Sequence, residues 1–402
     1  MLAIADENTN EWNIMKKKSP IKYYIYLAMA SFALFGSNVS LLVFFKRMAD
    51  DMLQFSYFVY LLTSFGFVIV FFILKNMRNI LYVLYSKFVK NIESPKGRLP
   101  HYQYFILGLL DATKGILIFL SAHRTAANLQ PILPNISIFI TFVMSYIIMK
   151  YKFKIIYFFF DFLASFIVFI GIIISLVPVF INIANSPESI LDTGLWPILF
   201  AISIVPASIM FILQEKFSKH IEDIDYFELN MWISIYQAII CIFYFWVNFI
   251  FPSINIYNLQ DLGASFDNGF LCLAGYNITL NSTTNYNLTT NYNSTIHENL
   301  NCQFAAIDIV LYIGSYIGTY LSSAILLRMI TSLFVSLLNV CVTPVTIIIF
   351  SIIGMDTFNI FTAISLPVMI IGIIINVIVD YKRNKLKDNK SKDDNDETIK
   401  LI

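Results

Sequence analysis

Apolar residues along this chain do not alternate with polar ones at a period that would bury one face of a soluble helix. They come in runs of about 20 residues, the length that crosses a bilayer as a helix, separated by short polar segments. Ten such runs fall near 22–45, 54–74, 102–122, 129–149, 154–180, 195–216, 227–251, 304–327, 331–353 and 357–380. Helices are expected because lipid offers no partner for backbone N–H and C=O groups, and a helix satisfies them within one segment. Two junctions are tight, at His123–Arg124 and at Gly354–Met355–Asp356, so nine or eleven crossings compete with ten.

Charge placement decides between these counts. With ten spans and a cytosolic start, one side holds Lys16–Lys18, Lys22, Lys75, Arg78, Lys87, Lys90, Lys96, Arg98, Lys150, Lys152, Lys154, Lys216, Lys219, Arg328 and the basic residues of the tail. The other side holds Lys46, Arg47 and Arg124. That asymmetry is what the positive-inside rule predicts, and adding or removing one span in mid-chain scrambles it. The expected fold is therefore an all-α integral membrane protein of ten transmembrane helices, both termini cytosolic. Because five is odd, two similar halves of five enter the membrane from opposite sides and form inverted repeats. The division is a cytosolic segment 1–21, a first half 22–180, a second half 181–380 carrying a luminal loop 252–303, and a tail 381–402 that reads as disordered. Pro131 and Pro134 in the fourth span and Pro344 in the ninth take corresponding places in the two halves.

Composition agrees: 58% of the residues are hydrophobic and 13% charged, against roughly 25% charged in a soluble chain. No basic face suited to nucleic acid exists. No cleavable leader is expected, since the first apolar run is too long for a signal peptide. The 252–303 loop lacks Lys and Arg and carries four Asn-x-Ser/Thr sites, at Asn277, Asn281, Asn287 and Asn293, which are modified only on the luminal side. Cys272 and Cys302 flank the Asn-rich stretch of that oxidising loop and are expected to pair. Cys241 and Cys341 lie inside spans and read as packing residues.

Ionisable groups inside spans are costly and point to function. Asp111 and Lys114 lie three residues apart, on one face of the third span. They read either as a charged lining that binds substrate or proton, or as an ion pair that neutralises itself. Asp161 reads as snorkelling toward the cytosolic interface or as a functional group, and Glu215 as an interfacial charge beside Lys216 or as a functional group. His123 and Arg124 sit at the luminal mouth of the third and fourth spans, where a histidine in an acidic lumen would gain charge. A polar stripe follows through Asn128, Gln130, Asn135 and Ser137, matched in the ninth span by Asn339, Thr343 and Thr346; these must face a cavity or another helix. No nucleotide loop, metal cluster or catalytic constellation is present, so an enzyme, a primary pump and a bound cofactor are not expected. The expected partners are a small solute, protons and membrane lipid. The end of the chain, with Glu397, Leu401 and Ile402, fits an acidic dileucine signal read by sorting adaptors.

Together the residues resemble the chloroquine resistance transporter-like family of the drug/metabolite transporter superfamily. The resemblance rests on Leu110-Asp111-Ala112, Arg124-Thr125, Asn128-Leu129-Gln130 and Lys150-Tyr151-Lys152. It extends to Phe45-Lys46-Arg47, Ile224-Asp225, Leu229-Asn230, Asn268-Gly269-Phe270 with Cys272, and the stretch from Val335 through Cys341 to Pro344, and covers about 25–380. It implies a cavity formed by spans one to four and six to nine. It also implies proton-coupled export of cationic solutes such as basic amino acids, peptides and weak-base drugs, from an acidic vacuole or lysosome-like lumen to the cytosol. Asp111 matches an acidic cavity residue of the family. Three features depart from it: Lys114 is charged where the malarial pattern is not, Thr319 stands near an acidic place, and the loop keeps only Cys272 and Cys302 of a larger set. An anionic cargo such as a nucleotide sugar, using Lys114 and Arg124, is the alternative of the same class; a non-transporting receptor is a second.

Overall fold

The computed structural model describes residues 19–52, 55–88, 97–122, 124–125, 129–149, 155–185, 195–219, 221, 224–250, 258–282, 296–300, 302–354, 360–361, 363–372, 374–375 and 378–379. The helices are α1 Pro20–Met52, α2 Ser56–Phe88, α3 His101–Ala122, α4 Ile136–Met149, α5 Ile155–Asn185, α6 Leu195–Lys219 and α7 Tyr226–Phe243. After these come α8 Leu259–Leu273, α9 Ala305–Met329, α10 Ser332–Ile353 and α11 Ala363–Gly372. A 3-10 turn, Leu133–Asn135, leads into α4, and α7 runs on through Tyr244–Trp246 to Ile250. Seven of these helices are long and apolar enough to cross a membrane. The remaining three runs appear as shorter apolar helices, Leu133–Met149, Phe162–Pro178 and Ala363–Gly372, among the described residues.

Local chemistry sets the helix ends. Pro20 opens α1, where its missing N–H is no loss. Asp225 caps α7 by accepting from Phe227 N at 3.0 Å, and Thr331 caps α10 by accepting from Phe334 N at 3.4 Å. Gly354, at φ +77°, takes the left-handed position that stops α10. The two tight junctions are thus real breaks: α3 ends at Ala122 and α10 ends before Gly354.

The loop expected between the seventh and eighth spans is partly ordered. It carries α8 and a two-stranded antiparallel ribbon, β1 Ile278–Ser282 with β2 Ile296–Leu300, in the register Ile278↔Leu300 to Ser282↔Ile296. The all-helical class holds for the membrane body; this ribbon is an addition outside it. Cys272 and Cys302 form the expected disulfide across 30 residues. Closing a loop of that length removes about 3–4 kcal/mol of unfolded-chain entropy in the loop-closure model. Phe266 and Phe270 of α8 pack edge-on against Phe58 at the start of α2.

Antiparallel pairing organises the bundle. Against α9, α1 makes three rungs: Tyr23 Oη donates to Met329 O at 3.2 Å, Gly318 lies against Ser37, and Arg47 pairs with Asp308 at 3.2 Å. α2 and α7 pair through Tyr57 Oη, which donates to Cys241 O at 3.1 Å, and through Arg78 and Asp225 at the far end. One large core unites α1, α2, α3, α6, α7 and α9, and a second joins α4, α5, α10 and α11 through Ile138, Val168, Ile172, Val340 and Met369. Gly171 and Gly372 let α5 and α11 meet closely, since a Cβ on Gly372 would fall 2.8 Å from Ala164 O. Outward, Phe32 (78% exposed), Val310 (67%) and Ile352 (79%) present an apolar surface that only lipid or another chain covers.

Candidate substrate site

The centre of the bundle is built around Asp111, midway along α3 and 1% exposed. An ionised carboxylate so placed must be compensated by donors or it does not stay charged. Three groups do this. Tyr316 Oη on α9 lies 3.0 and 3.2 Å from the two carboxylate oxygens, Tyr320 Oη one turn later donates to Oδ1, and Lys114 Nζ is 3.5 Å from Oδ1. Four-residue spacing puts both tyrosines on one face of α9, where their rings stack at 4.4 Å and Phe67 of α2 stacks on Tyr316 at 4.1 Å. The Lys114 ammonium lies 5.2 and 5.4 Å from the two tyrosine ring centres, within cation–π range. Behind the site, Tyr60 Oη donates to Ala112 O at 2.5 Å. Gly115 permits that approach, because a Cβ there would fall 2.5 Å from the Tyr60 ring.

Next to it lies an amide seam. Thr319, on α9 between the two tyrosines, donates to Asn38 Oδ1 at 3.3 Å, and Asn38 Nδ2 donates to Asn339 Oδ1 at 2.8 Å. Thus α1, α9 and α10 meet at the buried Thr319 and the half-buried Asn38 and Asn339. A third polar contact joins the proline-containing turn before α4 to α10, which holds Pro344 within its length. Asn135 N donates to Ile132 O, so Pro131 O is left without its helical partner. Thr343 Oγ1 of α10 lies 2.9 Å from both Pro131 O and Asn135 Oδ1 and donates to one of them at a time. Thr141 and Ser336 continue the α4–α10 contact at 3.1 Å.

The other expected site residues separate into groups. Arg124 is exposed and lies over Trp196 at 5.5 Å, past the end of α3 at Ala122, which is itself about 12 Å from Lys114 at 1.5 Å per residue. Gln130 is buried and caps the end of α3, its Nε2 donating to Ala122 O at 2.9 Å and Thr125 O at 3.1 Å. Thr346 turns back to Val342 O at 3.0 Å, and Ser137 is buried on α4. Asn277 is exposed, and its Oδ1 accepts from Cys302 N at 3.2 Å; Asn281 lies on β1. His123, Asn128, Asn287, Asn293, Glu397, Leu401 and Ile402 lie outside the described residues, as does the tail 381–402. For Asp161 only the backbone, within α5, is described.

One expectation is corrected. Glu215 is not an interfacial charge: it is fully buried, and its Oε2 accepts from Ser332 N, at the start of α10, at 2.7 Å while Oε1 receives Lys219 Nζ at 2.6 Å. The helix N-terminus supplies a free N–H and a positive dipole end, which is why a carboxylate is held there. The sequence reading also missed Tyr316, Tyr320 and Asn38. Tyr312, Tyr316 and Tyr320 recur every fourth residue of one span, a stripe visible in the chain; Asn38 carried no such signal.

The comparisons with known proteins bear on this arrangement. The family model described as CRT-like, chloroquine-resistance transporter-like, matches residues 25–381. The chain belongs to the chloroquine-resistance transporter-like family. Crt homolog 3 of Dictyostelium discoideum is 24% identical over 348 residues, 85% of this chain and 67% of that protein. The chloroquine resistance transporter of Toxoplasma gondii is 22% identical over 261 residues, 63% of this chain and 27% of the relative. For that of Plasmodium vivax the figures are 26% over 199 residues, 48% of this chain and 44% of the relative. The chain thus spans between about a quarter and two thirds of the length of these relatives. Family membership makes it a transporter-like multi-pass membrane protein, and the matched segment contains every residue of the Asp111 and Asn38 clusters.

Proposed function

We propose that this chain is a secondary transporter of small cationic solutes, moving basic amino acids, peptides or weak-base drugs from an acidic vacuole or lysosome-like lumen to the cytosol with proton coupling. The observation that carries this reading is the buried carboxylate of Asp111 on α3, held among the described residues by hydroxyl donors of α9 and a lysine on its own helix. Such a group binds a cation or a proton and offers nothing to an anion.

Ten crossings in two inverted halves, 22–180 and 181–380, give this site a means of alternating access by rocking of one half against the other. Contacts between equivalent spans support it: the third and eighth meet at Asp111 and Tyr316, and the fourth and ninth meet at Thr343 and Pro131. Both termini are cytosolic and the disulfide end is luminal in this reading, with sugars on the Asn277, Asn281, Asn287 and Asn293 sites and the tail addressed by a sorting adaptor. The anionic alternative loses support, since Lys114 is paired with Asp111 and Arg124 stands apart from it.

The experiment is uptake of labelled arginine, a short basic peptide and a nucleotide sugar into proteoliposomes, with and without an acid-outside gradient, by wild type and Asp111→Asn. Gradient-stimulated arginine or peptide flux that the variant lacks is the expected result. Flux of the nucleotide sugar alone, or unchanged flux in the variant, would overturn it.

A further inference from the structure

The Lys114 ammonium is held in an unusual way for an ion pair. Its 3.5 Å separation from Asp111 Oδ1 exceeds the 2.7–2.9 Å of a good charge-assisted hydrogen bond. Its remaining support comes from the faces of Tyr316 and Tyr320. Asp111 accepts from the Tyr320 hydroxyl and lies within hydrogen-bond distance of the Tyr316 hydroxyl. The lysine side chain is 18% exposed and the carboxylate 1%, so of the pair the lysine is the more accessible. A carboxylate flanked by stacked aromatic rings is the chemistry that captures an ammonium or guanidinium group from solution. Here the chain fills that cradle with a cation of its own.

We propose that Lys114 is a specificity-determining residue, a tethered cation occupying the subsite on Asp111, Tyr316 and Tyr320 that an incoming ammonium or guanidinium group takes by displacing it. This rests on Asp111 being the substrate-cation group. Two like charges in one desolvated cradle repel, so solute and lysine exclude one another. The tether lowers apparent affinity for every cation and keeps the empty site neutral. It also selects for solutes whose cation gains more from the rings than an alkylammonium does. Guanidinium groups and flat aromatic amines meet that condition, since planar delocalised charge stacks on tyrosine and is less strongly hydrated.

The test is equilibrium binding of labelled arginine to the purified full chain, comparing wild type with Lys114→Met, Lys114→Gln, Lys114→Arg and Asp111→Asn. Removing the charge in Lys114→Met or Lys114→Gln lowers Kd about tenfold or more. Lys114→Arg, which keeps a tethered cation, stays within about threefold of wild type, and Asp111→Asn abolishes binding. Tighter binding is a result that structural damage does not produce, and the glutamine variant keeps the side-chain polarity if methionine disturbs folding. Unchanged or weaker binding in both neutral variants, with Asp111→Asn still inactive, overturns the competitor role and leaves the Asp111 site standing. Undiminished binding by Asp111→Asn overturns both.

Discussion

Tyr320→Phe removes one hydroxyl from the centre of the bundle and leaves the ring stack in place. The lost group is a donor to a carboxylate that is 1% exposed, and hydrogen bonds to charged groups contribute about 1.5–3 kcal/mol each. That range is the expected fall in unfolding free energy, measured by reversible denaturation in mixed micelles. Tyr316→Phe costs less, about 1 kcal/mol, because the Tyr316 hydroxyl is shared among Asp111 Oδ1, Oδ2 and the Tyr320 oxygen, at 3.0, 3.2 and 2.6 Å. In an Asp111→Asn background the acceptor is neutral, and Tyr320→Phe costs only about 0.5–1.5 kcal/mol, the range for uncharged pairs. The double-mutant cycle therefore carries a coupling of about 1–2 kcal/mol. Additivity within about 0.5 kcal/mol, the scatter of independent sites, would refute the claim that the Tyr320 hydroxyl is bonded to the Asp111 side chain.

Three further outcomes follow from the packing. Glu215→Ala strips the acceptor from Ser332 N and leaves a buried N–H unpaired, costing about 1.5–3 kcal/mol in the same denaturation assay, whereas Lys219→Ala, removing a half-exposed partner, costs under about 1 kcal/mol. Gly115→Ala drives a methyl into the Tyr60 ring and destabilises by about 1–3 kcal/mol, and Tyr60→Leu in the same chain restores part of the loss. Reduction of the Cys272–Cys302 bond, or replacement of both cysteines by serine, speeds protease cleavage of the Asn-rich segment between them while leaving the helical content measured by circular dichroism unchanged.

What sequence reasoning could reach here follows the range of the forces involved. Span positions and breaks were legible because membrane insertion acts on local composition: α10 stops at Gly354, and α3 ends at Ala122 where the polar residues begin. The Cys272–Cys302 pairing was legible because one loop held both thiols. The Asp111–Lys114 proximity followed from helical spacing alone. Glu215 was misread because its partner, Ser332 N, is 117 residues away in the chain, and beside Lys216 it looks like any interfacial charge.

By itself, then, the chain determined the apolar helices, their breaks, the disulfide and, in Asp111, a carboxylate that lipid makes expensive, because each is read within one segment of the chain. Which helix supplies the hydroxyls that meet the buried Asp111 was decided only by tertiary packing. Tyr316 and Tyr320 lie 205 and 209 residues from Asp111, and Asn38 lies 301 residues from Asn339. Nothing in the local pattern of any one span distinguishes a tyrosine facing lipid headgroups from one facing a buried charge. The distinction arises when α9 packs along α1 and its Tyr316 and Tyr320 hydroxyls reach Asp111 of α3, because a buried polar atom must pair with whatever donor a neighbouring helix presents.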